Sequence, residues 1–376
     1  MIRFLPKSFG KYFDWHTNRR LLVFESDDWG SLYLPNAAEI ERLEKANVLP
    51  SAKEGYRRFD CLEQRADMEA LFDLLRSFSD IHGNPARITF NTVMGNPDFE
   101  KIQQSGFQHY HFQHFFDSYV QYNAEDCRDL WTAGRTARLI VPQFHAREHI
   151  NVPAWMGDLQ IERQDTRIAF ENHYYCQIRS KISPISYLAA HWPECPDHLP
   201  EIEQITVDGL KLFEETFGFK SETFIACCYV MPEEVECLTA KHGVKLLQTQ
   251  RRHRVPDVQR KTSHYTTRYS GQKNRWGQTY SLRNVVFEPA SDESLDWVDL
   301  AYRQIADAFR RRVPAVVSTH RVNFVGGRVL ENRERTLRML GALLRKVTQE
   351  FSDVEFISSD ELLSAVLGDK PAGTGD

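Results

Sequence analysis

The chain has 376 residues, of which 41% are hydrophobic and 26% are charged. This balance is that of an ordinary globular protein, and it excludes a disordered, collagen-like or coiled-coil chain. Because 47 basic residues oppose 52 acidic ones, the formal net charge is only −5, which gives no electrostatic case for binding nucleic acid or an anionic membrane. The seven cysteines include no CxxC pair, which favours free thiols over a disulfide framework.

The N-terminal segment and the hydropathy pattern predict a cytoplasmic protein. Residues 1–20 interleave charged and aromatic side chains, whereas a secretory signal needs an uninterrupted apolar stretch of about 7–15 residues. No window approaches the ~18–20 apolar residues of a membrane span. The pattern does not define an oligomeric state.

Strands and helices are predicted to alternate along most of the chain. The predicted strands are apolar runs of strand length at 21–26, 87–93, 139–144, 223–230, 244–248, 281–287, 315–318 and 354–357. The predicted helices are one that begins after Asn36, and those at 65–78, 125–135, 201–217, 232–242, 295–311 and 332–350. Asn96 and Pro97 predict a turn. Segments near 160–200 and 250–280 have no simple period, and we interpret them as an insertion and a long loop.

This alternation predicts an α/β protein with a mainly parallel sheet. About eight strand-then-helix units in a chain of this length favour a distorted (β/α) barrel over a doubly wound sheet. We therefore expect a single barrel domain over residues 1–368, with the two insertions, and a disordered tail over residues 369–376.

Polar residues with metal-binding or acid–base chemistry follow several of the predicted strands. In chain order they are Asp27 and Asp28, Asn91, His145 and His149, Glu288, and His320. In a barrel the carboxyl ends of the strands share one face, and active sites are built on that face. The sequence therefore predicts a single site that combines these residues.

The segment HAREH carries two of them, His145 and His149, four residues apart. On one helix face, two imidazoles at this spacing can bind the same metal. Two histidines and one aspartate with an open position are the ligands expected of a hydrolytic zinc site. Asp27 and Asp28 would point in opposite directions on an extended chain, so one could bind the metal while the other deprotonates water. His320 could protonate a leaving group.

Taken in order, these motifs resemble those of the polysaccharide deacetylase family, metal-dependent carbohydrate esterases with a distorted barrel of the glycoside hydrolase/deacetylase type. SDDWG at 26–30 resembles the family's Asp-Asp-Gly element, in its divergent branch with DDWG. HAREH resembles its His-x-x-x-His element, and VVSTH at 316–320 its late strand that ends in a histidine. The resemblance implies a general base at Asp27, a general acid at His320, and a divalent metal, with zinc favoured, bound by Asp28, His145 and His149.

The resemblance also implies a substrate class. It predicts a metal-dependent hydrolase that removes an acetyl group from an N-acetylated sugar or polysaccharide precursor, so that the partner is an acetylated carbohydrate. Trp29 adjoins the two aspartates and is the aromatic residue best placed by sequence to stack on a sugar ring.

One element of the family is missing. Its members usually carry Arg-x-Pro-Tyr-Gly, whose arginine orients the base, whereas the equivalent segment here, FIACCYVMP at 224–232, has no arginine. Arg147 or Arg321 would have to substitute. Without such an arginine, the alternative is a catalytically impaired barrel that binds a sugar or a metal.

HAREH also matches H-x-x-E-H, the signature of inverted zincin peptidases, in which Glu148 would be the base. That motif needs a sustained helix that presents both histidines. Pro142 and Pro153 bracket the segment, and the preceding strand pattern runs up to residue 144. The peptidase is therefore the less favoured alternative.

Overall fold

A computed structural model describes residues 14–33, 37–48, 56–122, 124–175, 186–260 and 262–368. Its strands are β1 (Arg20–Trp29), β2 (Ile88–Val93), β3 (Gly95–Pro97), β4 (Phe112–His114), β5 (Ile140–Ala146), β6 (Thr223–Ile225), β7 (Leu246–Thr249), β8 (Arg252–Asp257), β9 (Thr262–Thr267), β10 (Thr279–Leu282), β11 (Val285–Val286), β12 (Ala315–His320) and β13 (Val354–Ile357). Its α-helices are α1 (Ala37–Lys45), α2 (Tyr56–Phe59), α3 (Arg65–Arg76), α4 (Phe99–Gln104), α5 (Phe115–Gln121), α6 (Arg128–Thr136), α7 (Val152–Gln160), α8 (Gln164–Glu171), α9 (His198–Phe217), α10 (Glu233–Lys241), α11 (Trp297–Arg310), α12 (Leu330–Glu350) and α13 (Ser359–Leu367). Short 3-10 turns lie at Cys227–Tyr229 and Arg321–Phe324.

One parallel sheet of nine strands organises the molecule. Its order is β10-β7-β6-β5-β2-β1-β12-β11, and β13 pairs with the first half of β1. Strands β10 and β11 form the two ends of this order, yet only residues 283 and 284 separate them along the chain. A single extended segment therefore pairs first with β7 and then with β12, so the sheet must curl. The result confirms the predicted distorted (β/α) barrel.

The inner face of β1 changes from apolar to charged along its length. Leu21 and Val23 pack with Leu362 of α13 in a small apolar cluster at the start of the strand. Because side chains alternate between the two faces of a strand, Glu25 and Asp27 follow on the same face. Both carboxylates are buried, so the barrel interior holds charged groups next to the apolar cluster at the start of β1.

The outer face of the sheet is covered by amphipathic helices. In α11, the buried residues Trp297, Ala301, Ile305 and Ala308 recur at helical spacing and belong to the main hydrophobic core. Helices α3, α6, α9 and α12 contribute further buried apolar residues to that core. This burial fixes the outside of the barrel and leaves the carboxyl ends of the strands free to carry a site.

Several elements differ from the sequence prediction. The predicted loop at 250–280 contains the antiparallel hairpin β8–β9, whose second strand is mostly exposed and polar and therefore lacks an apolar alternation. The predicted turn at Asn96 and Pro97 is strand β3, which pairs with β4. The predicted strand 281–287 is divided into β10 and β11, strand β6 ends at Ile225, and helix α13 was not predicted. The predicted tail, 369–376, lies outside the described residues.

Two further observations concern the cysteines and the membrane. The described cysteines, Cys61, Cys127, Cys195, Cys227, Cys228 and Cys237, are unpaired. Within the ranges that the structure describes, no helix is both long enough and apolar enough to cross a membrane.

Candidate active site

A cavity of about 210 Å³ lies at the carboxyl ends of β1, β5 and β12. It is lined by the five residues to which the sequence assigns a role: Asp27, Asp28, His145, His149 and His320. Aromatic side chains form part of its wall: Tyr33, Tyr56, Tyr174 and Tyr229. The structure thus brings together residues that are almost 300 positions apart in the sequence, and their individual roles stay predictions.

The two aspartates both reach the cavity because the backbone leaves the extended conformation at Asp28. This residue has a φ of 72°, and the pairing of β1 with β2 is irregular between Ser26 and Trp29. The Asp28 carbonyl accepts hydrogen bonds from the Arg321 Nε atom (2.9 Å) and the Ser31 hydroxyl (2.9 Å), which hold the conformation. A left-handed aspartate costs roughly 1–3 kcal/mol, and such residues cluster at functional sites. The opposite orientations expected of an extended chain are therefore not observed.

The same break in alternation turns Trp29 away from the cavity. Its ring stacks on Phe90, with centroids 3.5 Å apart, and its Nε1 atom donates a hydrogen bond to the Ser26 hydroxyl. The residue is only 1% exposed. The prediction that Trp29 stacks on a sugar ring is wrong, because this side chain belongs to the hydrophobic core.

Asp28, His145 and His149 form a set of metal donors. The Asp28 Oδ1 atom lies 3.4 Å from His145 Nε2 and 3.5 Å from His149 Nε2. Donor atoms about 2.0–2.1 Å from one tetrahedral zinc ion are separated by roughly 3.3–3.4 Å, so these distances fit a shared ion. The His145 Nδ1–H group donates to the Ile225 carbonyl (2.8 Å), which leaves the Nε2 lone pair directed at the cluster.

The Asp28 Oδ1 atom supports the same conclusion. It is buried, and no described residue donates a hydrogen bond to it. A buried carboxylate oxygen in this condition is costly unless a cation or water satisfies it. Burial alone would raise the pKa of Asp28, but the imidazoles of His149 and His145 hold that pKa below its usual value. The donor chemistry therefore fits a divalent cation.

The segment HAREH is not helical. His145 lies near the end of β5, and residues 147–150 form bends rather than a helix. Glu148 is buried against Arg147, with 2.6 Å between their Oε1 and Nε atoms, and it is not among the residues that line the cavity. The histidines thus converge through a strand and the bends after it, which is inconsistent with the zincin peptidase alternative.

Cys227 is a further donor that the sequence did not indicate. Its Sγ atom lies 3.9 Å from His145 Nε2, and one donor atom from each of Cys227, His145 and His149 lies within 4.8 Å of the other two. Burial would raise the pKa of the thiol, but the His145 and His149 imidazoles hold it well below its ordinary value. The signal available in the sequence was a pair of adjacent cysteines within the predicted strand 223–230.

Asp27 is oriented by Arg283, from the junction between β10 and β11. The Arg283 Nη1 and Nη2 atoms donate to Asp27 Oδ2 (2.6 Å) and Oδ1 (2.7 Å), and Nε donates to Glu25 Oε2 (2.7 Å). The guanidinium is 2% exposed. Burial opposes the ionisation of Asp27, but Arg283 outweighs it and lowers the pKa of the carboxyl. Asp27 is therefore ionised at neutral pH.

The two arginines proposed from the sequence as substitutes have other partners. Arg147 pairs with Glu148, and Arg321 donates to Asp60 Oδ1 (2.6 Å). Both expectations are wrong. Arg283 stands inside an apolar strand pattern, SLRNVVF, and a lone charge in such a run was the signal that could have identified it.

Two amides complete the surroundings of Asp27. Asn91 on β2 donates through Nδ2 to Asp27 Oδ1 (2.8 Å) and also contacts Gln248 on β7 (2.8 Å). The Gln248 side chain in turn accepts a hydrogen bond from Arg283 Nη2 (3.0 Å). The Asp27 carboxylate is thus bound directly from β2 and from the junction between β10 and β11, and Gln248 on β7 links these two partners.

His320 is oriented by Glu288. The His320 Nδ1–H group donates to Glu288 Oε1 (2.6 Å), and Asn323 Nδ2 donates to the other carboxylate oxygen (2.7 Å). His320 Nε2 lies 4.0 Å from Asp27 Oδ2. Burial lowers the pKa of His320, but Glu288 raises it more strongly, to about 9. The imidazole is therefore protonated at neutral pH and can act as an acid.

Comparisons with known proteins place this barrel among related folds. No protein-family model and no curated protein sequence matches the chain. A solved structure from Parabacteroides distasonis, provisionally assigned as a glycoside hydrolase/deacetylase, matches 96% of this chain and 73% of its own at 7% identity, with a TM-score of 0.50. One from Pseudomonas aeruginosa, provisionally assigned as a polysaccharide deacetylase, matches 95% of this chain and 94% of its own at 10% identity and a TM-score of 0.45. A family 4 carbohydrate esterase pseudoenzyme from Bacillus anthracis matches 93% of this chain and 68% of its own at 10% identity and a TM-score of 0.38.

The similarity to the Parabacteroides distasonis structure establishes the fold class. The barrel is of the glycoside hydrolase/deacetylase type. An identity of this size carries no residue roles, so the chemistry has to be argued from the side chains of this chain.

Replacement of Arg283 should destabilise the protein strongly. In Arg283→Met, Glu25 and Asp27 lose their buried cation, and the free energy of unfolding should fall by about 3–5 kcal/mol. Chemical denaturation at neutral pH measures this change. The destabilisation should diminish as the pH is lowered, because carboxyls left unpaired in the barrel bind protons more tightly folded than unfolded.

A second replacement provides the control for Arg283. If the loss arises from unpaired charge, Glu25→Gln in the Arg283→Met background should recover part of the stability. The same Glu25→Gln change in the wild-type protein should not stabilise it. Equal effects of Glu25→Gln in both backgrounds would contradict the proposed coupling.

The pKa of His320 should depend on Glu288. In an NMR titration of the wild-type protein, His320 should titrate near pH 9. Its signal is assigned as the one that is missing from the spectrum of His320→Gln. In Glu288→Gln the pKa should fall by roughly 1–3 units, because a contacting opposite charge is removed. The exposed Glu293 offers a control, since Glu293→Gln should leave the titration unchanged. A His320 pKa that is the same in all three proteins would refute the assignment.

Proposed function

We propose that the protein is a metal-dependent hydrolase that removes an acetyl group from an N-acetylated sugar or polysaccharide precursor. One observation carries this proposal: a single cavity combines three metal donors, an ionised carboxylate and a protonated imidazole. These are the groups that metal-assisted hydrolysis of an amide uses. The related barrel from Parabacteroides distasonis, provisionally assigned as a glycoside hydrolase/deacetylase, supports the same class of chemistry.

Asp28, His145 and His149 would hold the cation. Two imidazoles and a carboxylate favour zinc over magnesium or calcium, which prefer oxygen ligands. When bound, such an ion supplies a Lewis acid that polarises the acetyl carbonyl and makes water more acidic.

Asp27 is the proposed general base. Its Oδ1 atom is occupied by Asn91 and Arg283, whereas Oδ2 receives a single hydrogen bond, from Arg283, and faces His320. Oδ2 therefore has the capacity to accept a proton from the attacking water. Because Arg283 lowers its pKa, Asp27 is ionised at neutral pH and is a weak base. It depends on a metal to acidify the water, which explains why the base and the donors share one cavity.

His320 is the proposed general acid. Glu288 holds the Nδ1–H group, so the Nε2–H group is the proton available to a departing amine. With a pKa of about 9, His320 carries this proton at neutral pH and loses it in alkaline solution. Activity should accordingly decline as the pH rises above about 9, provided that His320 retains this pKa when the metal is bound.

Sugar binding is proposed for the aromatic wall of the cavity. Tyr33, Tyr56 and Tyr229 offer ring faces and hydroxyl groups next to the catalytic candidates. A sugar presents both apolar ring faces and hydroxyls, so such a wall suits it.

The alternative of a catalytically impaired binding barrel depended on the absence of an arginine beside the base. Arg283 supplies a bidentate guanidinium to Asp27 from another strand junction. That reason for expecting lost catalysis is thereby removed.

Metal content and acetate release together test the proposal. Purified wild-type protein should contain about one zinc-like ion per chain, and it should be lost in both His145→Ala and Asp28→Ala. The wild-type protein should release acetate from N-acetylglucosamine oligosaccharides. In Asp27→Asn the rate should fall about 10²–10⁴-fold, as expected for loss of a general base, while the metal is retained.

Glu148→Gln is the control for Asp27→Asn. Glu148 lies in the same motif as the histidines but does not line the cavity, so its replacement should largely preserve acetate release. Release only from O-acetylated sugars would reassign the substrate to an ester. Metal that is absent from the wild type, or retained in both ligand variants, would contradict the proposal.

A further inference from the structure

We propose that Cys227 is a fourth protein ligand of the metal ion, so that the centre consists of two histidines, an aspartate and a cysteine. This inference rests on the metal centre of the proposed function. It assigns a ligand outside the His-His-Asp set predicted from the sequence, and it specifies the class of metal that the protein selects.

The distances around Cys227 fit a mixed nitrogen–sulfur site. A tetrahedral zinc ion with bonds of about 2.0–2.1 Å to nitrogen and about 2.3 Å to sulfur separates these two atoms by roughly 3.6 Å. The observed distance from Cys227 Sγ to His145 Nε2 is 3.9 Å. The corresponding distances from Asp28 Oδ1 to the two imidazoles are 3.4 and 3.5 Å. Cys227 and Asp28 thus approach the same two imidazoles, and the distances of both to His145 are close to those that one shared ion imposes.

The surroundings of Cys227 are those of a ligand rather than of a core residue. A structural cysteine in a protein interior behaves as a small apolar group among apolar neighbours. Cys227 is 0% exposed, but its Sγ atom faces two imidazoles, and it belongs to none of the hydrophobic clusters that the described residues form. The same two imidazoles lie beside Asp28 Oδ1, a buried oxygen without a donor among the described residues. One cation would satisfy the sulfur and the oxygen together.

The backbone after β6 is bent in a way that holds this position. Cys228 and Tyr229 have φ values of 57° and 55°, two consecutive left-handed residues that are not glycine. Each costs about 1–3 kcal/mol, and such conformations persist where the surrounding structure holds them for a function. The bend leaves Cys227 buried at the donor cluster, whereas Cys228 is exposed and lines the cavity.

A thiolate ligand changes which metals the site prefers. Sulfur is a soft donor that favours zinc and disfavours manganese and magnesium. Four protein donors also fill a tetrahedral site, so hydrolysis would need a fifth position, which catalytic zinc sites can open.

X-ray absorption on the zinc-loaded wild-type protein tests the ligand without any variant. We expect one sulfur scatterer at about 2.3 Å together with nitrogen or oxygen scatterers at about 2.0–2.1 Å. A spectrum with nitrogen and oxygen alone would overturn the assignment of Cys227 but leave the metal centre intact. A wild-type protein that binds no zinc would overturn both this inference and the metal dependence of the proposed function.

Cobalt substitution identifies the cysteine. The Co²⁺ protein should show a sulfur-to-cobalt charge-transfer band in the near ultraviolet, lost in Cys227→Ser and retained in the matched control Cys228→Ser. The visible d–d bands should remain in both variants, because the histidines and Asp28 still bind. Zinc affinity should fall at least about tenfold in Cys227→Ser. Loss of the charge-transfer band in Cys228→Ser instead would assign the sulfur to the neighbouring residue and refute the proposal.

Discussion

The carboxyl end of the barrel depends on the ion pairs that the buried guanidinium of Arg283 forms with Glu25 and Asp27. Glu25 and Asp27 are two residues apart on β1 and therefore share its inner face. Two carboxylates at this depth would each carry a desolvation cost of several kcal/mol without a cation. Arg283 lies between β10 and β11, which are the two ends of the hydrogen-bonded sheet, so its contacts with β1 cross the barrel interior. One guanidinium thus offsets part of the negative charge of two buried carboxylates and ties β1 to the junction between β10 and β11.

Adjacent carboxylates acquire different chemistry from their surroundings. Asp27 receives hydrogen bonds from Arg283 and Asn91, so its charge is compensated and its orientation fixed by the protein. Asp28 has an oxygen that no described residue satisfies, placed between two imidazoles. The left-handed backbone of Asp28 makes this division possible, because an extended strand would send one of the two side chains to the outer face. Environment, more than residue type, separates the candidate base from the candidate ligand.

Sequence reasoning reached the barrel and the five clustered residues because both depend on local signals. Apolar strands that alternate with helices predict a parallel sheet, and polar residues after those strands predict one face. The histidines of HAREH were correctly grouped for a wrong reason, since a strand end and bends bring them together rather than a helix. Arg283, Glu288 and Cys227 could not be assigned their partners from sequence. Each acts through a contact between distant strands, and no local pattern encodes which strand end faces which.

The net charge of the candidate metal centre determines how strongly a bound ion can act as a Lewis acid. A dication held by Asp28 and two neutral imidazoles would retain one positive charge, which favours acidification of water. A thiolate from Cys227 would bring the centre to neutrality, which is cheaper to bury but weakens the ion as a Lewis acid. The base beside it is itself weak, because Arg283 lowers the pKa of Asp27. The Arg283 guanidinium is already paired with Glu25 and Asp27, so if Cys227 stays bound throughout turnover, the imidazolium of His320 becomes the positively charged proton donor on which the reacting groups depend.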